Sequence, residues 1–163
     1  MKLSHLDAEG RARMVDVGDK PVTERRARAR GSVRMSAAAL AAVRAGAVPK
    51  GDVLAVARLA GIQAAKQTSQ LIPLCHILPL DHVDIELRLD APRRRIEIES
   101  TVACRAATGV EMEAIVAVAI AAATIYDMCK AIDRAMRIEA IELLEKSGGR
   151  SGTYRRRAAG RPA

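Results

Sequence analysis

Two clusters of ionisable side chains bracket one apolar stretch: Glu111 and Glu113 before Ala114–Ile125, Asp127 and Lys130 after it. The stretch has the length and composition of a helix. Carboxylates in a first turn are stabilised by the helix dipole by roughly 0.3–1 kcal/mol, so capping alone would account for Glu111 and Glu113. Asp127 and Lys130, three residues apart, share a helix face. As an exposed ion pair they would contribute about 0–1 kcal/mol. Their place directly after a run expected to be buried sets a functional role beside that reading. Fourteen positions separate Glu113 from Asp127, about 21 Å at 1.5 Å per residue. One small ligand cannot span that distance, so if both clusters serve one site, the second belongs to a neighbouring chain.

Cys75 and His76 lie in the short loop between Pro73 and Pro79. Adjacent residues seldom face each other as nucleophile and base, so His76 is a proton-transfer or substrate-contact candidate set against an ordinary hydrogen-bonded histidine. No other Cys or His stands at ligand spacing, and neither a metal nor another cofactor is expected. Lysines are few in an Arg-rich chain. Lys50 precedes a helix start, where phosphates are readily held. Lys66 follows the same helix, and Lys146 precedes Ser147-Gly148-Gly149-Arg150-Ser151-Gly152, a loop able to cradle phosphate through backbone N–H groups or simply a flexible tail. It is not a P-loop, because the Gly-x-x-x-x-Gly-Lys-Ser/Thr spacing is missing.

Positioning these groups takes one domain. The 163 residues (17.4 kDa) are 50% hydrophobic and 28% charged, which excludes general disorder and repeat fibres. With no Trp or Phe and only Tyr126 and Tyr154, the core must come from small aliphatic side chains. Such a core gains from further burial between subunits. The net charge of +8 belongs to the two ends, residues 1–34 and 147–163, and the middle is nearly neutral. Three cysteines without a CxxC pair and no leader pattern at the start make the cytoplasm the expected compartment. The Ala114–Ile125 run is shorter than the roughly 20 residues a bilayer needs, and it reads as a buried helix.

Residues 1–22 read as an arm. Alternation from Thr23 to Met35 predicts a strand with one wet face. Ser36 caps a helix ending at Gly46, and Asp52 caps a second that runs to about Lys66. Val83–Leu89 and the strand beginning at Ile96 form a hairpin about Asp90–Arg93. A helix from Val110 to about Arg134 and a strand over Ile138–Leu144 follow. The order predicts an α+β domain over residues 23–146, a ferredoxin-like split βαβ sandwich with an antiparallel sheet and helices on one face. Residues 147–163 form a glycine-rich, basic tail.

Several segments come in the order of a known family. They are Met14–Val17, Lys50-Gly51-Asp52, Ala57–Lys66, Leu71–His76, Thr108–Ala114, Thr124–Ala131 and Lys146–Gly149. Over roughly residues 5–152 the chain resembles the molybdenum cofactor biosynthesis protein C (MoaC) family. The resemblance implies a lyase that converts 3′,8-cyclo-7,8-dihydroguanosine 5′-triphosphate to cyclic pyranopterin monophosphate and diphosphate. A radical S-adenosylmethionine GTP cyclase would supply that substrate. It further implies Asp127 as the catalytic aspartate, with Lys130, His76 and Lys50 beside it. Leu74, Cys75, His76, Met112 and Glu113 would contact substrate, and Glu111, Lys66, Lys146 and Arg25 would complete the pocket. A ferredoxin-like fold and a homohexamer, a trimer of dimers with sites between subunits, are implied as well.

The residue types suit that chemistry. Charge building on a departing diphosphate calls for cations such as Lys50, Lys66, Lys146 and Arg25. Opening an imidazole ring and closing a pyran ring calls for several proton transfers, which Asp127, Lys130, His76 and the glutamates can make. One position departs from the family: Ile77 stands where Cys-His-Pro-Leu is usual, which frees the backbone after His76. The competing reading is a non-catalytic ferredoxin-like module that binds nucleic acid. Such sheets stack bases on aromatic side chains that these strands lack, so neither nucleic acid nor membrane is an expected partner.

Overall fold

The computed structural model describes residues 9–157. Residues 1–8 of the expected arm and 158–163 of the expected tail lie outside the described residues. Along the chain come β1 (Thr23–Arg34), α1 (Ala37–Arg44), α2 (Val53–Lys66), α3 (Thr68–Leu71), β2 (His82–Asp90), β3 (Arg95–Ala106), α4 (Glu111–Cys129), β4 (Arg137–Ser147) and β5 (Tyr154–Arg155). All neighbours in the sheet are antiparallel, in the order β2-β3-β1-β4-β5. With β1 placed between the hairpin and β4, this is an α+β fold compatible with the expected split βαβ sandwich.

The alternation in β1 sorts its side chains cleanly. Ala27, Ala29 and Val33 are fully buried under α4, while Arg26, Arg30 and Arg34 point to solvent on the open face. Ser36 and Asp52 cap as expected, accepting from the Ala39 and Ala55 amides at 3.2 and 3.0 Å. Gly61 on α2 lies against the Ala117 carbonyl of α4, and Lys50, just before α2, reaches Asp127 near the end of α4. The two helices therefore run antiparallel. Their close approach depends on small side chains: Ala114, Ala117, Ala121 and Ala122 on α4 are wholly buried.

Several boundaries differ from expectation. The last long helix ends at Cys129, not near Arg134, because the Asp133 carboxylate accepts from the Ser36 amide at 2.7 Å and the Ala135 amide at 2.8 Å. Those two bonds turn the chain out of helix and hold Asp133 below the usual carboxylate range. At 19 residues with mean hydropathy 1.7, α4 as a whole is long and apolar enough to cross a membrane; what marks it as a core helix is its packing, with more than half of it buried. The short α3 was not expected. Nor was β5, through which part of the tail pairs with Glu145 and Lys146. All three cysteines are free thiols.

Gly31 marks a close approach of the sheet to α4: a Cβ there would sit 2.7 Å from Val118 Cγ1 and 3.2 Å from Ile141 Cγ1 of β4. Gly31→Ala is expected to lower stability by about 1–3 kcal/mol through overpacking. Adding Val118→Ala should return part of that loss. Urea midpoints of the two single variants and the double variant measure the coupling.

Candidate functional site

The ends of α4 carry different chemistry. At its C-terminal end, Asp127 in the last turn meets two ammonium groups. Lys50 Nζ donates to Oδ2 at 2.6 Å, and Lys130 Nζ lies 2.7 Å from Oδ1. All three side chains are about half exposed. The two ammoniums, Lys130 first, pull the Asp127 carboxyl down to about 2. It is ionised throughout the neutral range, with a lysine on each oxygen.

At the N-terminal end lies a cleft of about 370 Å³, walled by Leu74, Cys75, His76 and Leu78 from the loop, Thr108, Gly109, Glu111, Met112 and Glu113 at the start of α4, and Val15, Val17 and Lys20 from the arm. Glu113 is only 4% exposed. Burial, reinforced by the negative charge of Glu111, raises its carboxyl from the ordinary 4.5 to about 7. Gly109 leaves the space that the Glu111 carboxylate occupies. Burial, with Glu113 as a lesser cause, also pushes the Cys75 thiol up, so it is protonated at neutral pH. His76 is tied to the arm, Nε2 to the Val15 carbonyl at 2.7 Å.

The folded chain binds the Glu113 proton more tightly than the unfolded chain does. Stability therefore falls as pH rises from about 4.5 through about 7. Glu113→Gln should flatten that slope, and the variant should gain on the wild type as pH rises. Urea unfolding at about pH 5 and about pH 8 gives the comparison.

The topology gathers most of the remaining candidates at the cleft end. Lys66 ends α2 there, exposed to solvent. Lys146, in β4 near the start of β1, bonds to Ser151. Arg25 falls in phase with Ala27 and Ala29 and is buried. Its Nε donates to the Ala106 carbonyl at 3.1 Å and its Nη2 to the Ala107 carbonyl at 3.0 Å, bracing the turn that leads into α4. Gly149, at φ 70°, lies directly on this guanidinium, where no side chain would fit. Lys50, Asp127 and Lys130 stand together at the far end; one chain does not bring them to His76 and Glu113.

Sequence reasoning missed Lys20, Val15, Val17, Leu78, Thr108 and Gly109 as cleft-lining residues. The scarcity of lysine and the Met14–Val17 motif were the available signals. A second cavity, about 240 Å³ on the open sheet face, is lined by Arg30, Arg88 and Arg95 against Glu86, Glu97 and Glu99, with Ser32 among its other lining residues. No group of three or more His, Cys, Asp or Glu side chains is placed to hold a metal ion among the described residues.

The family model described as the MoaC family matches residues 14–149. Proteins named cyclic pyranopterin monophosphate synthase are similar over nearly the whole chain. The one from Chloroflexus aggregans is 60% identical over 155 residues, covering 95% of this chain and 94% of its own length. Its counterpart from Roseiflexus sp. is 60% identical over 152 residues (93% and 96%), and that from Nostoc sp. is 57% identical over 152 residues (93% and 90%).

Proposed function

The chain belongs to the MoaC family and works as a cyclic pyranopterin monophosphate synthase, a lyase of molybdenum cofactor biosynthesis; we propose that its substrate is 3′,8-cyclo-7,8-dihydroguanosine 5′-triphosphate, supplied by a radical S-adenosylmethionine GTP cyclase. Diphosphate leaves as the cyclic phosphate closes.

The observation that carries the site assignment is the division of labour along α4. One end holds an ionised carboxylate between two amines, and the other holds a buried carboxyl near neutrality beside a histidine. Groups pushed in opposite directions are suited to opposite proton-transfer roles. Asp127, with Lys50 and Lys130, acts at the reacting end of the substrate. Glu113 and His76, with Leu74, Cys75 and Met112, hold the guanine-derived rings and exchange protons with them. Lys66 and Lys146 face the triphosphate, where cations stabilise the charge of the leaving diphosphate. Glu111 shapes the rim. Arg25 serves the site by bracing the turn at Ala106 and Ala107.

The two halves meet across a subunit boundary, in a homohexamer built as a trimer of dimers that works in the cytoplasm, with neither nucleic acid nor membrane as partner. Exposed apolar side chains support association: Val56 and Leu59 on α2, Leu71 on α3, and Ile138 and Ile141 on β4. The test is turnover of the cyclic dihydro-GTP intermediate by purified protein, followed as product and diphosphate. We expect turnover and no oligonucleotide binding. Salt-dependent oligonucleotide binding without turnover would favour the nucleic-acid module.

A further inference from the structure

We propose that the N-terminal arm, through the Val15 carbonyl, holds His76 as its Nε2–H tautomer and so presents Nδ1 as the proton acceptor of the cleft. This rests on the reading above in which His76 exchanges protons with the substrate. A carbonyl oxygen carries no proton, so the 2.7 Å contact between Val15 O and His76 Nε2 requires that nitrogen to donate. In the neutral ring the lone pair then lies on Nδ1, which bonds to no described residue. A ring left to itself would exchange tautomers and turn about its side-chain bonds. The carbonyl fixes both, in the way a partner on the far nitrogen fixes a catalytic imidazole.

The arm is shaped to make this contact. Immediately after Val15 the Gly18 amide donates to Asp16 Oδ1 at 2.9 Å, and the Lys20 amide donates to the Val17 carbonyl at 3.0 Å. These two local bonds fold residues 16–20 into a compact turn and bring Val17 and Lys20 into the wall of the same cleft. On the other side the Cys75 amide donates to the Ile72 carbonyl at 3.1 Å just before His76, but the residue after it, Ile77, is 88% exposed and is not a proline. Rigidity that a proline would lend the backbone after His76 is replaced by a tether to the ring itself. When Nδ1 takes a proton from a substrate N–H or O–H, Nε2 keeps its own, and the bond to Val15 persists through the transfer.

The test is imidazole nitrogen NMR on full-length protein labelled with ¹⁵N-histidine, alongside a variant lacking residues 1–17. The full chain should show a solvent-protected Nε2–H and a bare Nδ1 at His76. Removing the arm should speed exchange of that proton by about tenfold or more and lower kcat by about tenfold or more. Lys20→Ala, which leaves Val15 in place, should keep the protected proton. A protonated Nδ1 in the full chain, no protected proton there, or a proton equally protected without the arm would overturn the inference. Should the proton behave as expected while full-length His76→Gln turns over like the wild type, the tether stands and the role of His76 in the reaction falls.

Discussion

Asp127→Ala should cut kcat by about 10²–10⁴-fold, the usual contribution of positioned proton-transfer groups, here the two lysines it holds in place. The carboxylate lies within 2.7 Å of each of two ammoniums and is held to about 2, so it is a fixed negative charge that orients Lys50 and Lys130. Without it, the two amines repel each other and lose their common anchor. The site then loses both a charge and the geometry of its neighbours. Stability should barely move, because the side chain is half exposed and buries no core surface. Single-turnover kinetics together with urea unfolding and a sizing measurement give the answer. Wild-type turnover in the variant would reduce the triad to a surface ion pair.

Mixing two inactive variants should restore activity. Asp127→Ala removes the far-end group and His76→Ala a cleft group, and about 21 Å of helix separates Asp127 from Glu113 in the cleft. If each working site takes one end from each of two chains, subunits mixed in equal amounts regenerate intact sites at about one in four. The mixture should therefore reach about a quarter of wild-type turnover once unfolded and refolded together. Two separately folded samples, combined without exchange of subunits, should stay inactive. No recovery after co-refolding would mean that the two ends of α4 do not cooperate across a subunit boundary.

The extent to which the fold could be read from the residues depended on sequence separation. Local signals worked. The caps at Ser36 and Asp52, the turn after Asp90 and the alternation of arginine with alanine in β1 each act within a few positions. The helix end near Cys129 was missed because Asp133 stops it through the amide of Ser36, 97 residues away. The same holds for the site. Glu111 and Glu113 stand at the helix start as expected, but the pairing of Lys50 with Asp127 spans 77 positions, and that of His76 with Val15 spans 61. The burial of Arg25 was readable in principle, since it shares the phase of Ala27 and Ala29. What could not be read was that two carbonyls would be waiting for its guanidinium.

The irregularities of β4 bear on how the protein avoids sticking to itself. Its pairing with β1 slips between Arg28 and Ala29 and again between Arg30 and Ser32, and Ala140 stands at φ 52°. Its outer rim is sheathed at one end by the two residues of β5, with Arg155 and Arg156 anchored on Glu145 and Glu142. A stray extended chain seeking a straight template along β4 would meet kinks first and charged groups next, so this side of the sheet is a poor start for fibril growth.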